Sequence, residues 1–285
     1  MTWQPFGDDS IWNVVANQKG TPTIDNPFAG QFVSYSNRLE ISGIPGSGSG
    51  GDFAKPTFFA QPGDPVATAQ ASEPTWVSGD IHYDGKPIPV PDGVTPAPGS
   101  DGHLTIVSAD RKTAWEMWRC TKADVTGYET VTIAQWDLDG SGVPGDSIDN
   151  SSARGSGTPL LPTTIRATEA LNGINHALGI TVPNVSSEYL YPPATHSDGR
   201  LGPDAIKYGM LFVLRSDFPV PPGATPGERH VIQALKVYGA YVVDQGASME
   251  LDADSTHRRI WEAAGLDANS LRSIGPGDFR LVVTG

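Results

Sequence analysis

The chain has 285 residues and a formal net charge of −13 at pH 7, from 32 acidic against 19 basic residues. Phosphate binding needs clustered Lys and Arg and no basic run is present, so nucleic acid is excluded as an expected partner. No run approaches the roughly 18 apolar residues of a membrane span. The single cysteine excludes an internal disulfide framework and a cysteine-rich metal site.

The opening residues Met1-Thr-Trp-Gln-Pro-Phe6 lack the basic start and apolar stretch of a secretory leader. Residues 1–40 show no clear periodicity. Residues 41–52 are glycine- and serine-rich and predict a surface loop; its glycines would cradle a phosphate only ahead of a helix, which Phe53-Ala-Lys-Pro56 does not supply. A hairpin is expected at Tyr83-Asp84-Gly85-Lys86. The following residues, 87–100, are too proline-dense for a central strand and should run extended across a surface.

Residues 101–118 form two alternating runs around a polar turn at Asp110-Arg111. With that turn as the loop, Thr105 faces Glu116 and His103 faces Trp118. Alternation then places His103, Thr105, Glu116 and Trp118 on one face and Leu104, Ile106, Trp115 and Met117 on the other. The apolar face suits a core. The face with an acid, an imidazole and an indole suits a sugar-binding groove, provided the register holds. Cys120, at the end of this hairpin, reads as a buried structural thiol.

A third strand is expected at 128–136, with more at 176–182, 209–216, 240–244 and 279–284. Helices are expected at 228–238, with Val231, Ile232, Leu235 and Tyr238 on one side and Gly239 as the stop, and at 255–264 behind a Ser255 cap. The balance predicts a single, mainly β domain: an antiparallel, jelly-roll-like β-sandwich with a few short helices. The helix-then-strand order at 228–244 keeps an α+β arrangement as the alternative.

The string Pro96-Ala-Pro-Gly-Ser-Asp101-Gly-His-Leu-Thr105, followed by Trp115-Glu-Met-Trp-Arg119, resembles a group of extracellular actinobacterial proteins. The resemblance continues through Gly157-Thr-Pro159-Leu-Leu-Pro162, Arg166, Glu169, Ile174-Asn-His176-Ala-Leu178 and Tyr191-Pro-Pro-Ala-Thr-His196-Ser-Asp198-Gly199. It ends with Ala234-Leu-Lys-Val-Tyr238-Gly239 and Asp244. It implies a carbohydrate-related role, and similar proteins lie among tail proteins of phages infecting actinobacteria. The expected locations are therefore a virion tail or the extracellular space. The expected partners are an envelope polysaccharide and either other tail proteins or further copies of the chain.

Glycoside hydrolysis uses two carboxylates flanking the scissile bond. Glu116 is the first candidate, with His103 beside it; Glu169, Asp198 and Asp244 are candidates for the second. A lyase would use a His or Tyr base with an Arg against a uronate, roles open to His176, Tyr191 and Arg166. Glu116, His103, His176 and Asp198 are thus the catalytic expectations. Trp118, Trp136, Arg166, Glu169, His196 and Asp244 are the substrate-contact expectations. The competing readings are that Glu116 pairs with Arg111 or Arg119, that Arg166 and Glu169 form a structural ion pair, and that the tryptophans pack. Asp137-Leu-Asp139-Gly-Ser141-Gly142 matches half a calcium loop, but position twelve is Ile148, so an EF-hand is excluded and only a looser calcium site stays open. No other cofactor is expected. The sequence reading is a glycan-directed protein, as a hydrolase or lyase, with a binding or structural tail protein as the alternative.

Overall fold

The computed structural model describes residues 3–33, 36–44, 53–72, 87–143 and 152–283. Residues 45–52 of the loop expected at 41–52, the turn at 83–86, and Asp146 and Asp149, the further acids of the looser calcium site, lie outside them. Short strands punctuated by turns dominate, with 30% strand and 14% helix. The first half contains β1 Thr21–Pro22, β2 Glu40–Ser42, β3 Thr57–Phe59, β4 Val66–Ala71, β5 Pro87–Pro89, β6 Leu104–Val107 and β7 Thr113–Trp118. After these come β8 Lys122–Asp124, β9 Gly127–Thr130, β10 Thr132–Asp137, α1 Ala167–Asn172, β11 Leu178–Val182 and β12 Val185–Tyr189. The last third adds β13 Ile206–Tyr208, β14 Leu211–Leu214, α2 Pro226–Val237, β15 Ala240–Gln245, β16 Glu250–Asp252, α3 Arg258–Ala264 and β17 Phe279–Val283.

These elements stack in layers. A seven-stranded sheet, β1-β17-β14-β15-β11-β16-β2, carries the three helices on one face. Leu178, Ile180, Val182, Ala240 and Val242 point from it toward Val231, Leu235 and Trp261 of the helices. Its other face, through Tyr241, Val243, Leu211 and Val213, packs on Val107, Ala114, Ala134 and Trp136 of the sheet β10-β7-β6-β3. That sheet's far side, Leu104, Ile106, Trp115 and Met117, meets Ala67, Ala69, Ile88 and Tyr128 of a third sheet, β5-β4-β9-β8. The result is a mainly β, sandwich-like domain with few short helices. Its sheets are mixed: β11 with β15, β16 with β2, β3 with β6 and β4 with β9 all pair in parallel.

The β6–β7 hairpin has the register that alternation predicts, Thr105 opposite Glu116 and Ile106 opposite Trp115. Its turn is wider than two residues, because Ser108 Oγ ties back to the amides of Lys112 and Thr113. The strand expected at 128–136 is two strands. Val131 hands the chain from β9 in the third sheet to β10 in the second, and its amide donates to Trp118 O at 3.0 Å. Residues 41 and 42, expected in a loop, belong to β2, whereas the proline-rich segment does run extended and contributes only the edge strand β5.

Helix α2 begins two residues before its expected start. Thr225 and Glu228 close a capping box, and Pro226 occupies the first turn, where its missing N–H is not needed. Gly239 then turns directly into β15 at φ 78°, with Phe212 O only 2.6 Å from where a Cβ would sit. At α3 the expected Ser255 cap is corrected: the N-cap residue is His257, in a left-handed conformation.

Candidate functional site

The polar face of the hairpin is not an open groove. It is the interface between the first two sheets, and Glu116 at its centre is 0% exposed. Its two oxygens accept hydrogen bonds from Leu160 N at 2.8 Å, Leu161 N at 2.7 Å and Trp136 Nε1 at 2.9 Å. Burial pushes this carboxyl above its ordinary range, against the pull of those donors and of Arg154. Glu116 therefore anchors the 160–161 turn to the sheet and does not line the cavity described below. Trp136, expected to project into a groove, is buried as its partner.

Only the edge of that face opens. A cavity of about 300 Å³ lies where the first two sheets splay, walled by Asp101, His103, Trp118 and Thr132 on one side. Thr181, Asp244, Glu250 and Asp252 stand opposite, with Lys55, Arg154 and the 195–198 loop closing the ends. A β-bulge brings Asp244 there. Ile180 pairs with Val242 but Thr181 pairs with Asp244, so Val243 is an extra residue on β15. Without it, Asp244 would follow Ala240 and Val242 toward the helices; the bulge turns it to the cavity side, as bulges commonly re-aim side chains.

Glycines make room for the opposite wall. The carboxylate of Asp198 lies against Gly155, where a Cβ would meet its oxygens at 2.7 and 2.9 Å. Tyr208 donates its hydroxyl to Asp198 Oδ1 at 2.7 Å. Burial, then the charges of Asp244 and Asp198, push that phenol far above its ordinary range, so it stays a donor. Asp244 itself is raised to about 6, by burial and by the neighbouring Asp252 and Asp198, in spite of Lys55 and Arg154.

Arg154 and Lys55 are buried cations that share Asp252, at 3.1 and 3.9 Å. Arg154 also reaches Thr163 Oγ1 at 3.3 Å, and Lys55 reaches the Phe53 carbonyl at 3.2 Å. His103 is 1% exposed. Burial first, then Lys55 and Arg154, hold its ring well below the usual histidine range, with a backbone hydrogen bond to Met117 the opposing pull. It is neutral at pH 7. Among the described residues, His103 Nδ1, Thr132 Oγ1 and Arg154 Nε have no hydrogen-bond partner, and all three residues line the cavity. Buried polar groups left unmatched in this way are costly unless water or a ligand completes them. Trp118 stands at the rim, its indole N–H 3.4 Å from Asp101 Oδ1 and its ring under the Arg119 guanidinium at 4.4 Å.

Of the ten expected catalytic and substrate-contact residues, the structure gathers His103, Trp118, His196, Asp198 and Asp244 around one cavity. Glu116, Trp136, Arg166, Glu169 and His176 lie elsewhere. Arg166 and Glu169 form a buried ion pair, and Glu169 Oε2 also sits 3.2 Å from His176 Nε2. Burial alone would raise Glu169, but Arg166 and then His176 outweigh it and hold the carboxyl below its ordinary range. His176 is fully buried, and β11 behind it runs in the interior of its sheet, between β15 and β16. The trio fastens α1 to the 161 turn, where Arg166 donates to Leu161 O at 2.8 Å.

Tyr191, a lyase-base candidate, is exposed and does not line the cavity. In the acidic turn, Asp139 pairs with Lys112 at 2.8 Å, Asp137 accepts from the Asp139 amide and Ser141 Oγ accepts from the Val143 amide. Those contacts give the turn a structural role. Cys120 is buried, its thiol pushed up to about 12 by desolvation, as its structural reading requires.

Sequence reasoning missed Lys55, Arg154, Asp252 and Tyr208. Arg154 carried the only visible signal, an arginine inside the glycine-serine run Arg154-Gly-Ser-Gly157. No family model, curated protein or solved structure matches this chain.

Proposed function

We propose that the cavity is a glycan-cleaving centre of the hydrolase type, in an extracellular or phage-tail protein directed at a bacterial envelope polysaccharide. The observation that carries the reading is the pairing of Asp244 with Asp198 around one cavity, in environments that divide their roles. Asp244, raised to about 6, keeps a proton up to near that pH to give to a leaving glycosidic oxygen. Asp198, with one oxygen fixed by Tyr208, has the other available to attack the anomeric carbon or to draw a proton from water. Among the lining side chains, polar groups such as Thr181, His196 and Glu250 would meet the sugar hydroxyls, and Trp118 would flank the ring. The resemblance to actinobacterial extracellular proteins supports the choice of an envelope glycan.

The lyase alternative is less well supported. Both buried cations are engaged with Asp252, and the protonated Tyr208 is no base. A binding-only protein is the second reading, because the polar lining and Trp118 suffice for recognition without chemistry.

Purified protein should be incubated with actinobacterial cell envelopes, and both released sugar and pelleted protein measured. Release by the wild type that disappears in Asp244→Asn and Asp198→Asn, with pelleting retained, is the expected result. Pelleting without release by the wild type would leave the binding protein. The absence of both signals would remove the glycan reading.

A further inference from the structure

We propose that the sugar unit held in this cavity carries no negative charge: it is a neutral, hydroxyl-bearing ring, not a uronic acid and not a phosphorylated or sulfated sugar. The inference rests on the glycan-cleaving reading above and narrows its substrate class. Among the described residues the lining holds five carboxylates, Asp101, Asp198, Asp244, Glu250 and Asp252, against two cations, Lys55 and Arg154. Those cations are already engaged: both reach Asp252, Lys55 also meets the Phe53 carbonyl, and Arg154 also meets Thr163. An incoming carboxylate or phosphate would meet excess negative charge in a partly desolvated space where Coulomb forces are weakly screened. It would compete with Asp252 for Lys55 and Arg154 and weaken buried ion pairs, which is unfavourable.

The carboxylates of this lining can only accept hydrogen bonds. A sugar hydroxyl can donate to them, whereas a ligand's own carboxylate or phosphate group can only accept as well. The excess acid also favours the charge that develops during cleavage. Glycoside hydrolysis passes through an oxocarbenium-like state that is more positive than the substrate, and preoriented carboxylates stabilise that difference.

The test separates envelope polysaccharide by anion exchange into neutral and anionic fractions, offers each to the wild-type protein and measures the sugar ends released. The same protein is titrated by calorimetry with a protonated iminosugar, the neutral sugar of matching ring size and the corresponding uronic acid. The expected result is cleavage of the neutral fraction. Binding should run iminosugar over neutral sugar over uronic acid, each step about tenfold, with added salt weakening the iminosugar. Cleavage confined to the anionic fraction, or a uronic acid that binds as tightly as the neutral sugar, would overturn the inference while leaving the glycan-cleaving centre intact. No cleavage of either fraction and no binding of any probe would overturn that centre and the inference with it.

Discussion

Asp244 sits where two opposing influences meet. Burial and the charges of Asp252 and Asp198 favour its protonated form, while Lys55 and Arg154 favour the carboxylate. As general acid it works only while protonated, so kcat/KM should fall as pH rises through about 6. Lys55 lowers this pKa, and removing its charge must raise it. In Lys55→Met the descending limb of the pH–rate profile should therefore move to higher pH, while Arg154 continues to satisfy Asp252. A limb that stays put or moves down would take the acid role away from Asp244. Glu116 makes the contrasting case. Both its oxygens accept N–H groups, so Glu116→Gln would set an amide N–H₂ against a donor that cannot turn away. The loss should be about 1–3 kcal/mol of unfolding free energy, the usual cost of an unmatched buried polar group, read from urea denaturation. An unchanged midpoint would contradict the anchoring role. The two carboxylates looked alike in sequence. Which one reaches solvent is set by the layer that covers it, and alternation along a single strand says nothing about that layer.

At the scale of elements, local pattern carried the hairpin and lost the connections. The register of β6 and β7 was legible because two alternating runs about a polar turn admit few alignments. Val131, where the chain changes sheets, was not, since no Gly, Pro or other turn former interrupts residues 128–136. The bulge at Val243 left no trace either: Val-Val-Asp reads as a plain strand end, yet it decides which side of the sheet Asp244 faces. Gly155 and Gly157 gave no sign in sequence that they mould the neighbouring loop. Gly155 has no backbone need for glycine from a left-handed φ, and its role is contact with Asp198. Gly155→Ala should hence fold with a loss of about 1–3 kcal/mol, because the buried Tyr208 hydroxyl loses its partner. It should lose tenfold or more in glycan cleavage, because the methyl group displaces Asp198 from Tyr208. Normal cleavage by this variant would show that the exact seat of Asp198 does not matter.

At the scale of the whole molecule, a continuous set of hydrogen bonds runs from the sheet interface to the cavity wall. Trp136 donates to Glu116, Glu116 accepts from Leu160 and Leu161, Leu160 O accepts from Thr163, and Thr163 accepts from Arg154 at the cavity wall. Spatial continuity alone does not establish coupling; a pair of variants that differ only in place can. Trp136 and Trp261 are both buried indoles with one hydrogen bond each, to the Glu116 carboxylate and to the backbone carbonyl of Thr256 respectively. Trp136 lies between the two sheets, Trp261 between the first sheet and the helices. Trp136→Phe and Trp261→Phe should each cost on the order of 1–3 kcal/mol, from a lost hydrogen bond and a partly emptied site. Neither residue lines the cavity. If the hydrogen-bonded set positions Arg154, Trp136→Phe should weaken binding of a neutral sugar several-fold per folded molecule, and Trp261→Phe should leave it unchanged. Calorimetric titration of both variants, with the folded fraction fixed by denaturant curves, separates this from general loosening. Equal losses in the two would mean that the cavity responds only to overall stability, and that the 152–166 segment holds Arg154 without help from the sheet beneath it.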